Sequence, residues 1–165
     1  MERLWAPWRL KYVTNEKPEG CIFCEKPQAG DDRAMHIVRR GESAYVMLNT
    51  YPYNNGHTLI APYAHVAALE DLPSSTLYEM TDLAQLCIRA MKSSFSAGGF
   101  NVGFNLGSVG GAGIQDHLHM HVVPRWLGDT NFMPVVADVR VIPQSLEDTY
   151  DQLVEAFQLA ERPNK

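Results

Sequence analysis

Apolar and polar positions alternate with a period of two in several stretches of this chain, and recur at three and four in two others. His36 to Arg39, Ala44 to Leu48 and Thr58 to Ala61 read as strands, with a turn-rich stretch from Asn49 to Gly56 in which Asn55-Gly56 is a strong turn dipeptide. From Ser74 to Ser94 the residues Leu77, Met80, Ala84, Cys87, Ile88 and Met91, with Phe95 just beyond, form one apolar stripe. Pro73 and Ser74/Ser75 stand where a helix starts, and Gly98-Gly99 stops it. Phe100 to Leu106 reads as a strand and Gly107 to Gly113 as a glycine-rich loop. A second helix is predicted from near Ser145, with Leu146, Tyr150, Leu153 and Phe157 on one face. Strands, one long helix, then strands again predict an α+β fold with a mainly antiparallel sheet.

The densest pattern is Asp116-His-Leu-His-Met-His-Val-Val-Pro-Arg-Trp126, which holds three of the six histidines. Alternation with Leu118, Met120 and Val122 predicts a strand with His117, His119 and His121 on one face; a helix would scatter them, and Pro124 opposes one. Three adjacent imidazoles make simultaneous protonation costly, so the arrangement is a poor filler. Same-face positions lie about 6.7 Å apart, so His117 and His121 are some 13 Å apart at Cα, too far for one ion to take all three at about 2 Å. That spacing weighs against a zinc hydrolase built on the triad. The middle residue, His119, is the better candidate for chemistry, because an imidazole nitrogen is a competent nucleophile at neutral pH.

Length and composition narrow the partners. The 165 residues, 45% hydrophobic, suffice for one domain that buries its own core. A net charge of -5 without any Lys/Arg run argues against a nucleic acid polymer as partner. No stretch of about 18 apolar residues is present, charges interrupt the apolar residues of the tryptophan-rich start, and three cysteines are an odd count. The expectation is a cytoplasmic protein in a reducing compartment, with no membrane partner. Residues 1–35 are expected to lie on the domain as an arm anchored by Trp5, Trp8 and Tyr12, residues 36–145 to form the main unit, and 146–165 a C-terminal helix.

Two further features carry chemistry. Gly107-Ser-Val-Gly-Gly-Ala-Gly113 lets backbone N–H groups approach an anion and, beside a histidine nucleophile, suggests phosphate; Arg125 would help. Cys21-Ile-Phe-Cys24 is half a zinc site by spacing, and by itself stands open between zinc, redox chemistry and coincidence. Cys87, on the apolar stripe of the long helix, is expected in the core. His36 is expected to be structural, and Tyr51 and Tyr53 either line a base pocket or pack in the core.

The run His117-Leu-His-Met-His-Val-Val123, followed by Pro124-Arg125, resembles the signature of the histidine triad (HIT) family of nucleotide hydrolases and transferases. Further matches are Leu4-Trp-Ala-Pro-Trp-Arg9, Cys21-Ile-Phe-Cys24, Asn49 with Gly56-His57, Pro62-Tyr-Ala-His65 and Gly107-x-x-Gly-Gly-Ala-Gly113. Leu48-Asn-Thr-Tyr-Pro-Tyr53, Gly99-Phe-Asn-Val-Gly-Phe-Asn-Leu-Gly107 and Val123-Pro-Arg-Trp126 are similar to the bacterial branch that resembles diadenosine tetraphosphate (Ap4A) phosphorylases.

This resemblance implies a five-stranded antiparallel sheet with flanking helices, a homodimer, and an adenine nucleotide as substrate. His119 would attack an α-phosphorus to form a nucleotidyl-histidine that phosphate or water cleaves, His121 would meet the phosphate or leaving group, and His57 would support the triad. Asn49 matches a position that reaches the ribose, and Asn105 one that contacts phosphate; Gly111, Ala112, Gly113 and Ile114 would line the substrate. Gly113 and Ile114 stand where commoner branches carry a polar side chain, so contacts there would come from backbone amides. Zinc-bearing members imply a structural zinc on Cys21, Cys24, His65 and His117. Hydrolysis of adenosine phosphoramidates, or nucleotide binding without turnover, are the alternatives.

Overall fold

The computed structural model describes residues 20–129 and 142–161, so the tryptophan-rich start, with Trp5, Trp8 and Tyr12, lies outside the described residues. Strands β1 (Ile37–Arg40), β2 (Ala44–Leu48), β3 (Thr58–Pro62), β4 (Gly99–Phe104) and β5 (Met120–Arg125) form one sheet in the order β1-β2-β3-β5-β4. Every neighbouring pair is antiparallel. A short helix α1 (Ile22–Glu25) precedes the sheet, the long helix α2 (Ser74–Ser94) connects β3 to β4, and α3 (Leu146–Ala160) closes the described chain. The fold class is the α+β arrangement that the order of elements predicted.

Strands β2 and β3 are buried along their whole length, which requires cover on both faces. Alternation sorts their side chains into two cores. Ala44, Val46, Leu48 and Ile60 face one side, where Leu118, Met120 and Val122 join Met80, Ala84, Cys87 and Met91 of α2 and Tyr150, Leu153 and Phe157 of α3. Tyr45, Met47, Leu59 and Ala61 face the other side, where Phe23 and Ile37 complete a smaller core. Cys87 is buried as expected, and burial pushes its thiol up to about 12, so it stays protonated.

The helix starts agree with their sequence signals. Ser145 caps α3 by accepting the Asp148 N–H at 3.0 Å, and Glu147 and Asp148 sit in the first turn, where the helix dipole favours acid. The Tyr150 hydroxyl then donates to the Ile37 carbonyl at 3.2 Å, tying α3 to β1.

The strand of histidines is shorter than the alternation predicted. Its ladder begins at Met120, leaving His117 at a bend and His119 in irregular chain just before it. The register that pairs Ile60 with Met120 would bring Leu118 opposite Pro62, which has no N–H to contribute. Leu118 instead donates its N–H to the Val66 carbonyl at 2.6 Å. The strand read over Phe100 to Leu106 is likewise displaced, ending at Phe104. Among the described residues no helix is long and apolar enough to cross a membrane.

Candidate active site

Leu59 pairs with His121 across β3 and β5, so the histidine face continues the face of the smaller core. All three triad imidazoles are buried, as is His57 at the start of the neighbouring strand. A buried imidazole must satisfy both ring nitrogens, so each contact dictates a tautomer.

Three rings are settled this way. The Nδ1 of His119 lies 2.8 Å from the His117 carbonyl oxygen; a carbonyl only accepts, so Nδ1 carries the proton and Nε2 keeps its lone pair. The Nε2 of His117 lies 2.9 Å from the Pro62 carbonyl oxygen, so that nitrogen donates and Nδ1 is left bare. The Nδ1 of His57 receives the backbone N–H of Tyr53 at 3.0 Å and stands 3.2 Å from the Asn49 amide nitrogen. It therefore accepts, and Nε2–H of His57 donates to Nδ1 of His121 at 2.9 Å. A neutral His121 then holds its own proton on Nε2, 3.4 Å from the Asn105 amide nitrogen, so the two bond only with the amide turned to present its oxygen to that N–H. The site thus presents one imidazole lone pair, on His119, beside one imidazole N–H, on His121, with ring centroids 5.0 Å apart.

Burial lowers the proton affinity of all four rings. For His57, burial and then the charges of His121 and His119 push the value down to about 3. For His121, burial and then the charge of His119 bring it to about 4. His119 and His117 are lowered mainly by burial as well. A neutral, unprotonated His119 at neutral pH is the form a nucleophile requires.

The other predicted residues fall into two groups. Asn49 reaches His57, and its side-chain oxygen accepts the Tyr51 N–H at 2.9 Å, which shapes the loop before Gly56. In the glycine-rich loop Ala112 is buried, Gly111 and Gly113 are exposed, and the half-buried Ile114 packs on the smaller core. Gly111 adopts φ 87°, a left-handed conformation suited to glycine. Separately, Cys21, Cys24, His65 and His117 place one ligand atom each within 4.8 Å of one another and could hold a metal ion. The bare Nδ1 of His117 is the atom that faces this group, at 3.3 Å from Cys21 Sγ.

Two aromatic residues shape the site more than their sequence context suggested. Tyr53 stacks on His121 at 5.6 Å and 9° between ring planes, and leans on His57 at 4.6 Å. Phe23, which no functional motif marks, stacks on His119 at 4.7 Å and 29°. Its only sequence signal is an aromatic residue enclosed between the two cysteines.

Comparison with known proteins identifies the family and the fold. Residues 32–126 match the model of the HIT domain. The chain is 41% identical over 158 residues to the AP-4-A phosphorylase of Mycobacterium tuberculosis, covering 90% of this chain and 80% of that protein. A Zn-bound histidine triad family protein from Mycobacterium smegmatis superposes with a TM-score of 0.68 at 28% identity, covering 85% of this chain and 94% of that one. A histidine triad nucleotide-binding protein from Sulfolobus tokodaii superposes with a TM-score of 0.66 at 25% identity, covering 85% and 91%.

The depressed histidines imply a defined acid sensitivity. In the unfolded chain each ring protonates near 6.5, whereas folded His57 and His121 resist until about 3 and about 4. Their contribution to stability is therefore full above about pH 6.5 and is lost as the pH falls toward 4, at a limiting slope of about 1.4 kcal/mol per pH unit for each ring. Urea unfolding between about pH 7.5 and about pH 5 measures the slope. The His57→Asn variant is expected to lose about one proton's share of it, and an unchanged slope contradicts this account.

Proposed function

The chain belongs to the HIT family of nucleotide-processing enzymes, and from that premise we propose that it cleaves a dinucleoside polyphosphate such as Ap4A through a covalent adenylate on His119. The observation that carries this reading is the tautomer of His119, with its proton held on Nδ1 by the His117 carbonyl at 2.8 Å and a lone pair left on Nε2. Nε2 attacks an α-phosphorus, a P–N bond forms, the bridging P–O bond breaks, and ATP departs. The Nε2–H of His121, oriented through His57, donates a hydrogen bond to the oxygen on which negative charge grows. Asn105, Gly111, Ala112, Gly113 and Ile114 are assigned to the phosphates, those of the loop through backbone amides, and Asn49 to the ribose. Inorganic phosphate then attacks the adenylyl-histidine, releases His119 and yields ADP. The 41% identity to an AP-4-A phosphorylase over most of both chains supports phosphate as the attacker.

Chromatography of products from Ap4A, with and without phosphate, tests the reading. ADP plus ATP formed only with phosphate is the expected result; AMP plus ATP without phosphate would make the enzyme a hydrolase. The His119→Asn variant is expected to lose at least about a thousandfold in turnover, since removing the attacking atom removes the covalent route. Retained turnover in that variant, or none in the parent, overturns the proposal, and the latter outcome turns attention to adenosine phosphoramidates.

We assign the Cys21, Cys24, His65 and His117 group to structural zinc. Four of its ligand-to-ligand separations are 3.3, 3.4, 3.6 and 3.3 Å, and a zinc tetrahedron with bonds of about 2.0 Å to nitrogen and about 2.3 Å to sulfur has edges of about 3.3 to 3.8 Å. The Nε2–H of His117 on the Pro62 carbonyl supplies the outer hydrogen bond that orients a ligating imidazole. Four protein ligands leave no open position, so such an ion would tie α1 to the histidine strand and hold no substrate. Elemental analysis is expected to find about one zinc per chain and its loss in Cys24→Ser; a parent free of metal after purification without chelators refutes the assignment.

A homodimer is the third part of the proposal. Among the described residues β4 pairs on one side only, with β5, and an edge strand of this kind invites a partner. Val102 and Leu106 stand about half exposed there. Sedimentation is expected to give twice the 18.5 kDa chain mass; a monomer at micromolar concentration would refute it.

A further inference from the structure

Phe23 has no surface exposure and belongs to α1, a helix of one turn, too short to persist without its packing. Three contacts hold the residue. Its backbone carbonyl accepts the Tyr45 hydroxyl at 2.8 Å in the buried interior. Its ring stacks on His119 at 4.7 Å and 29°, and leans on His117 at 5.2 Å and 41°. Cys21 and Cys24 flank it in the chain, with Cys24 and Glu25 N–H groups both donating to the Cys21 carbonyl.

The His119 ring needs such a wall. Its Nδ1–H bond to the His117 carbonyl fixes one edge, but a single hydrogen bond leaves the ring free to tilt about that bond. Tilting would swing Nε2 off the line of attack, and a misplacement of about 1 Å can cost about a hundredfold in rate. The stacked ring of Phe23 at 4.7 Å and the tilted ring of His121 at 5.0 Å both limit this tilt. An offset aromatic stack is directional as well as apolar, which an aliphatic side chain of similar size is not.

We propose that Phe23 is a positioning residue for His119, holding the imidazole so that Nε2 faces the substrate, and that it transmits to the active site the order imposed on Cys21 and Cys24 by their metal. The proposal rests on the assignments of His119 as nucleophile and of Cys21, Cys24, His65 and His117 as zinc ligands.

The test uses the full chain purified with its metal, and the Phe23→Leu variant, which keeps apolar bulk but loses the ring. Zinc content and urea unfolding establish that the variant is folded and loaded. With Ap4A and phosphate as reactants, kcat is expected to fall about tenfold or more while KM stays within about twofold. In imidazole-selective NMR spectra the His119 ring protons are expected to lose the ring-current displacement due to Phe23, with His57 and His121 signals in place. Unchanged kcat and unchanged His119 signals overturn the proposal, as does a loss in which the signals of all the histidines move together. If Phe23→Leu fails to fold, cross-relaxation between Phe23 and His119 ring protons in the parent decides: it is expected with zinc and is expected to weaken when a chelator removes the metal, while the His57 to His121 contact persists. Persistence of both contacts without metal overturns the link. A parent that does not turn over Ap4A sinks the substrate assignment, and the NMR comparison still decides the role of Phe23.

Discussion

A histidine ring withdrawn from water has two nitrogens to satisfy, and in this protein four such rings lie in neighbouring positions on one face of a sheet. Three of them find a partner whose hydrogen-bonding character admits only one answer: carbonyls for His117 and His119, and a backbone N–H for His57. The tautomers follow in sequence from these main-chain groups, and the rest of the site depends on them. Shifting the register of β5 by one residue would turn His121 into the helix-covered core and break its hydrogen bond with His57.

Burial on both faces makes this possible. The helices α2 and α3 cover one side of the sheet, and the segment around Phe23 covers the other. An antiparallel sheet with one side in water would have left the imidazoles solvated, free to protonate near 6.5 and to choose either tautomer. The cover withdraws water, depresses proton affinity and strengthens each hydrogen bond to the rings. His117 belongs to two systems at once. Its side chain faces the two cysteines and His65, and its carbonyl holds His119.

Much of this was legible in the chain. The helix over Ser74 to Ser94 followed from a stripe of apolar residues with clear stop and start signals, and the Ser145 cap marked α3. Period-two alternation put His117, His119 and His121 on a common face because backbone geometry alone dictates it. The same alternation overstated the length of the strand, since the ladder depends on which residue lies across the sheet, and Pro62 is far in sequence from Leu118, the residue it would have met.

The sequence by itself determined the α+β order of elements, the shared face of the triad and the residue types available for chemistry, because these rest on local periodicity and spacing. Only the tertiary structure decided which nitrogen of His57, His117 and His119 carries its proton, that Cys21, Cys24, His65 and His117 converge within 4.8 Å, and that Phe23 stands against His119. Those facts are contacts between segments far apart in the chain. Their partners are chosen by how the sheet registers and how its faces are covered, which no local pattern encodes.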